Sequence, residues 1–252
     1  MTSDAHALLW HPSPESIALG NHEVHLWRSK LDLQPSRVQT LEQTLAADER
    51  QRASQFRFPT DRARFIVARG VLRSLLGRYL SKEPHTLQFT YNAYGKPALA
   101  EESVRGPILF NVTHSQGMAL YAFTRIGDIG IDLEQMTTKV QDYEHIARRF
   151  FSSAEIEELH TVPVERRQEA FLNCWTRKEA YIKARGLGLS LVLSQFDVSL
   201  TPGATAKLLA TREIGQEASQ WSLHDLAPGP GCVAALTVKG HPSSIICWDW
   251  PE

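Results

Sequence analysis

Apolar and polar residues first alternate regularly at 23–27 (EVHLW), where the period of two predicts a strand. The period then lengthens: Val38, Leu41 and Leu45 recur at helical spacing, which predicts one helix over 37–56, and Pro59 breaks the pattern. Asp61 is placed to cap a second helix whose apolar stripe runs through Phe65, Ala68, Leu72, Leu75 and Tyr79, with Arg62, Arg69 and Arg73 together on another face. Short strand-like runs follow at 87–91, 108–112, 118–124 and 129–134, divided by the turn residues Asn92, Gly95 and Gly127. Helical stretches return at 143–150, 154–160 and 166–185, stopped by Gly186 and Gly188, and strands at 196–200, 219–223, 232–238 and 244–248 finish the chain. Helices mixed with short, turn-separated strands predict an α+β fold with antiparallel sheet. No tract is of low complexity and no short-period repeat occurs; the glycine-containing turn at 126–130 is the natural midpoint.

Composition narrows this only slightly. The 252 residues are 42% hydrophobic and 22% charged, ordinary globular material sufficient for one large domain or two small ones. A net charge of −1 gives no argument for nucleic acid or an anionic membrane as partner. The charge is uneven, however: eight arginines fall between Arg50 and Arg78, opposed within that window only by Asp61, enough to build a local anion site. Three cysteines without metal-ligand spacing predict reduced thiols. The opening residues lack the basic and apolar regions of a secretory signal, and no run of about 18 apolar residues occurs. A cytoplasmic protein is expected.

Candidate chemistry concentrates in two segments. Asp132 and Glu134 in IGIDLEQ stand at i and i+2, so they project from one side of a strand, while Ile129, Ile131 and Leu133 pack on the other. Alternate polar residues on a half-solvated strand are one reading; the other is that two adjacent carboxylates share a cation. In FLNCWTRKEAYIKA, 171–184, Glu179 and Lys183 lie one turn apart on the face of Trp175. Glu four residues before Lys also suits a surface pair worth about 0.2–0.5 kcal/mol, but a tryptophan on that face seeks burial. A helix bringing Glu179 opposite Asp132 and Glu134 would complete an all-oxygen site for a hard cation such as magnesium, with Lys183 ready for phosphate. Lys178 is expected to point to solvent or another phosphate. GLGLS, 186–190, follows a helix rather than opening one, so it reads as a C-terminal cap, not a phosphate loop.

FNVTHS, 110–115, ends a strand in a polar turn from which His114 can donate to a phosphate oxygen. Lys96 and Pro97, in YGKP, set a cation beside a rigid turn. A solvated helix face accounts for most of the arginines; Arg64, then Arg52, are those expected to touch a ligand.

YGKP, FNVTHS, IGIDLEQ, RRFFSSAE and WTRKEAYIKARGLGLS, in this order, resemble the motifs of Sfp-type 4'-phosphopantetheinyl transferases, in the branch with tryptophan and KEA in the last motif. The resemblance runs from about residue 48 to residue 200. It implies a pseudo-dimer of two similar α+β halves, here 1–125 and 126–252, with coenzyme A in the cleft between them. It further implies transfer of the phosphopantetheine arm of coenzyme A to a serine of an apo acyl or peptidyl carrier protein, releasing adenosine 3',5'-bisphosphate. By motif, Asp132, Glu134 and Glu179 would hold Mg2+, and Glu179 would take the serine proton. Lys183 would neutralise the pyrophosphate. His114 and Arg64 would contact the nucleotide phosphates, Lys96 and Pro97 would lie near the adenine and 3'-phosphate, and Ser115 would support its loop. Thr113 stands where the family often has serine, keeping a hydroxyl. A monomer is expected, since one chain supplies both halves. Two other functions use the same residues: a magnesium-dependent nucleotide phosphodiesterase, which would leave no protein modified, and a non-catalytic module binding coenzyme A or a carrier.

Overall fold

Pro59 opens a helix instead of ending one, because a proline at the first helical position lacks an N–H that would have no partner there. The computed structural model describes residues 8–100, 106–136 and 142–251. Its strands are β1 (Trp10–Pro12), β2 (Glu23–Lys30), β3 (Phe89–Tyr91), β4 (Pro97–Leu99), β5 (Leu109–Ser115), β6 (Met118–Thr124), β7 (Ile129–Gln135), β8 (Phe196–Val198), β9 (Leu208–Thr211), β10 (Trp221–Leu226), β11 (Cys232–Lys239) and β12 (Ser244–Asp249). Its helices are α1 (Pro35–Glu42), α2 (Ala47–Ser54), α3 (Pro59–Leu80), α4 (Tyr143–Phe150), α5 (Ser153–Thr161) and α6 (Arg167–Arg185). The mixture is α+β, as the pattern predicts. The single helix expected over 37–56 is two, α1 and α2, with the Ala46 N–H donating to Glu49 Oε2 at the start of the second. Three short strands, β1, β4 and β9, carry too few residues to show a period and escaped the sequence pattern.

Two sheets form the centre. One has the order β1-β12-β2-β6-β5 and the other β10-β11-β7. Apolar side chains of β2 and β6 (Val24, Leu26, Leu120, Ala122) meet those of β7 and β11 (Ile129, Ile131, Leu133, Leu236) in a core between the sheets. On the outer face of the first sheet α3 buries Val67, Val71 and Leu75 against Trp27, Tyr121 and Phe123. On the outer face of the second, α6 buries Phe171, Tyr181 and Ile182 with Phe196, Trp221 and Leu223. The sheet is not wholly antiparallel: β12 runs parallel to both β1 and β2. It arrives from β11 in the other sheet and is joined by no hairpin to β1 or β2, so it is free to pair with them in parallel.

Gly130 fixes how closely α6 lies on β7. A Cβ there would stand 2.0 Å from the Ala180 carbonyl oxygen and 2.3 Å from the Ala184 nitrogen, so any other residue would lift the helix. Gly186 ends α6 in the left-handed region, φ +65°, as the glycine stop signal predicts.

Candidate active site

Because Gly130 lets α6 rest on β7, the helix face carrying Glu179 and Lys183 is laid over the side of β7 from which Asp132 projects. Lys183 does not pair with Glu179 one turn away. Its Nζ lies 2.6 Å from Asp132 Oδ1, 3.2 Å from Thr113 Oγ1 and 3.3 Å from the Ile131 carbonyl. Asp132 is buried, and its second oxygen, Oδ2, is buried without a hydrogen-bond partner. Burial, then the charge of Asp132, raises the pKa of Glu134; the same causes, in the same order, raise that of Glu179, with Glu134 adding to them and Lys183 opposing. The three carboxylates therefore lie within one another's field.

Among the described residues no three His, Cys, Asp or Glu side chains converge closely enough to hold a metal as they stand. The donor set nonetheless fits a hard divalent cation. It consists of carboxylate oxygens, it carries surplus negative charge, and one buried oxygen has no protein partner.

From this point a cleft runs toward α3. Glu179 and Lys183 line a cavity of ≈ 270 Å³ with Tyr94, Lys96 and Pro97. A second cavity, ≈ 490 Å³, shares Pro97, Asn111 and Val112 with the first and is lined further on by Arg52, Arg64 and His114. Arg64 holds Asp32 with both arms of its guanidinium, at 2.7 and 2.8 Å, on an exposed surface. Arg52 lies over the ring of Phe65. Partial burial, together with Lys183 and Arg64, lowers the His114 pKa, so the ring is neutral near pH 7 and donates from one nitrogen only. Ser115 ends β5, half-buried, and lines neither cavity.

Several side chains differ from expectation. The Lys96 ammonium is turned to the Ile129 and Ala184 carbonyls, at 3.1 and 2.9 Å, tying the YGKP turn to β7 and the end of α6. Burial lowers its pKa to about 8. Lys178 reaches neither solvent nor phosphate: it is fully buried, 2.8 Å from Glu155 and 2.7 Å from the carbonyls of Leu193 and Phe196. Glu155 also completes a capping box with Ser152 and accepts from the Val198 N–H, so the RRFFSSAE motif braces α5, α6 and β8. The arginine-rich helix is not a solvated face either. Arg73 is 2% exposed and shares Glu49 with Arg69, while Arg62 pairs with Glu42. The opposing acids lie just outside the 50–78 window, which is why counting inside it missed them. Asn92 stands in a turn, as the sequence predicts, but its side-chain bonds and the role of Asn111 have no local signal in the sequence. Asn92 shapes the YGKP turn through the N–H groups of Tyr94 and Lys96 and donates to the Gly186 carbonyl. Asn111 Oδ1 accepts from the Ile131 N–H at 3.0 Å, joining β5 to β7.

Residues 128–237 match the family model described as the 4'-phosphopantetheinyl transferase superfamily, and residues 32–124 match that of the 4'-phosphopantetheinyl transferase N-terminal region. The 4'-phosphopantetheinyl transferase HetI of Nostoc sp. is 44% identical over 231 residues, covering 92% of this chain and 94% of that protein. The 4'-phosphopantetheinyl transferase Sfp of Bacillus subtilis is 31% identical over 62% of this chain and 66% of its own length. The human L-aminoadipate-semialdehyde dehydrogenase-phosphopantetheinyl transferase is 27% identical over 76% of this chain and 66% of its own length. The carboxylate cluster and basic cleft built above thus stand in a chain related nearly end to end to one such enzyme, and the chain belongs to the 4'-phosphopantetheinyl transferase family.

Proposed function

We infer that this protein transfers the 4'-phosphopantetheine arm of coenzyme A to a serine of an apo carrier protein, leaving a holo carrier and adenosine 3',5'-bisphosphate. The observation that carries this reading is the cluster of Asp132, Glu134 and Glu179, with an unpartnered buried Asp132 oxygen, at one end of a cleft whose other end holds Arg52, Arg64 and His114. Asp132, Glu134 and Glu179 would hold Mg2+. Bound there, the cation would offset charge on the pyrophosphate as the phosphoanhydride breaks.

The residues divide the remaining work. The serine oxygen attacks phosphorus and its proton passes to Glu179, directly or through water, while the bisphosphate leaves. Without a cation, burial and the neighbouring carboxylates raise the proton affinity of Glu179; a cation held there would oppose that shift, so position beside the attacking hydroxyl rather than basicity suits Glu179 to take the proton. Lys183 supplies positive charge beside the pyrophosphate, giving up one of its three protein acceptors to do so. Arg64 and His114 take nucleotide phosphates. The exposed Arg64–Asp32 pair is worth only about 0–1 kcal/mol, so a phosphate displaces Asp32 readily. Pro97 walls both cavities and would flank the adenine end, with Lys96 holding that wall in place. Residues 1–125 and 126–252 would form the two halves around coenzyme A, the second lending β12 to the sheet of the first, within a cytoplasmic monomer. Among the described residues no helix is long and apolar enough to cross a membrane.

The test is intact-mass spectrometry of apo acyl and peptidyl carriers incubated with the protein, coenzyme A and Mg2+. A mass gain of one arm, abolished by EDTA, is expected. No gain on any of several carriers, with the protein folded and binding coenzyme A, would overturn the assignment.

A further inference from the structure

β5 and β7 lie beside each other where the two sheets meet, yet they are neighbours in neither sheet. Two side chains from one face of β5 join them instead. Asn111 holds the backbone of β7 through the Ile131 N–H, and Thr113, two residues on, holds the carboxylate of Asp132. Thr113 Oγ1 is 3.3 Å from Asp132 Oδ1 and 3.2 Å from Lys183 Nζ. A hydroxyl has one proton to give, and the ammonium can only donate. The proton therefore goes to Asp132 and an oxygen lone pair receives Lys183. Asp132 Oδ1 is thus gripped from two directions, by Thr113 and by Lys183 at 2.6 Å, and Oδ2 is left without a partner. Thr113 itself is 5% exposed and lines neither cavity of the cleft, which leaves its hydroxyl no open path to a ligand.

We propose that Thr113 is a positioning residue: its hydroxyl orients Asp132 so that Oδ2 faces the divalent cation, and holds Lys183 to the other oxygen. This rests on the reading of Asp132 as a metal ligand given above. Without the hydroxyl the carboxylate is free to turn about its last bond. Lys183 could then bridge both oxygens and compete with the cation.

The experiment compares wild type, Thr113→Val and Thr113→Ser by Mn2+ titration followed by electron paramagnetic resonance with coenzyme A present, alongside kcat, KM for coenzyme A and thermal melts. Thr113→Val should lose about 10–100-fold in Mn2+ affinity, the usual range for an outer partner of a metal ligand. Its KM for coenzyme A at saturating metal should be unchanged, and Thr113→Ser should restore metal binding. Thr113→Ala replaces the valine variant if that one does not fold. Undiminished Mn2+ affinity without the hydroxyl would overturn the proposal, as would a raised KM for coenzyme A at unchanged Mn2+ affinity, which would place the hydroxyl on the substrate. A wild type that binds no Mn2+ but transfers the arm in EDTA would overturn the metal reading itself, and the proposal with it.

Discussion

Lys178 and Lys183 are five residues apart on α6, one sealed in the core with Glu155 and the other at the edge of the cleft with Asp132. Side-chain chemistry alone does not separate them; what separates them is the face of the helix each occupies. At this scale Asp132→Ala and Glu179→Ala should each abolish transfer with the fold intact, and an unchanged rate in either folded variant would remove that residue from the site. Lys183→Ala should cost about 2–4 kcal/mol of transition-state stabilisation, read from kcat/KM, by comparison with removed oxyanion donors. The raised pKa of Glu179 gives a further test. A carboxyl raised above its ordinary 4.5 keeps a proton that the unfolded chain has lost, so its contribution to stability falls as pH rises from about 4.5 through the raised value. In EDTA, Glu179→Gln should therefore melt higher than wild type near pH 8 and lose that margin toward pH 5. Asp132, Glu134, Glu179 and Lys183 were legible because each period, two on a strand and four on a helix, puts its members on one face. The partners of those residues were not: Thr113 is 19 positions from Asp132, and Lys183 is 51. Nothing local in the sequence selects such pairs.

Among the elements, α6 and β7 make the site by lying unusually close, and Gly130 sets that distance. Gly130→Ala should cost on the order of 1–3 kcal/mol or more of stability through overpacking, and should weaken metal binding because the helix carrying Glu179 moves. Equal metal affinity in wild type and variant would show that the helix adapts without disturbing the carboxylates. The Glu155–Lys178 pair is the other structural anchor of α6. Breaking it by Lys178→Met or Glu155→Gln should destabilise the protein by about 3–5 kcal/mol in chemical denaturation, since the surviving group is left buried and unmatched. The helices and longer strands were legible from their periods. The division of 37–56 into α1 and α2 was not, because a stop of four residues leaves the apolar spacing almost undisturbed. Nor was the buried state of Arg73, whose acid, Glu49, comes from a different helix.

For the whole molecule, the order of strands matters more than any one contact. The first sheet is built from β1, β2, β5 and β6, all before residue 125, but β12, at residues 244–249, lies between β1 and β2. Trp248 of β12 packs against Trp27 and His25, and Asp249 grips Arg28. No sequence period reports such a return, since 244–248 reads as a strand without saying which sheet it joins. Removal of residues 244–252 should therefore unfold the half that carries Arg64 and His114, not the half from which the strand is cut. Loss of protection from hydrogen exchange in β2 and β6 would show it; protection unchanged there would mean the sheet stands without its borrowed strand. The ribosome delivers β2 and its partners early, and domains ordinarily fold as they emerge. Here the portion synthesised first must wait, with the flank of β2 uncovered, until residues 244–249 have left the exit tunnel. The half made first is completed only by a strand made more than a hundred residues later, which makes the nascent chain dependent on whatever shields that flank until β12 emerges.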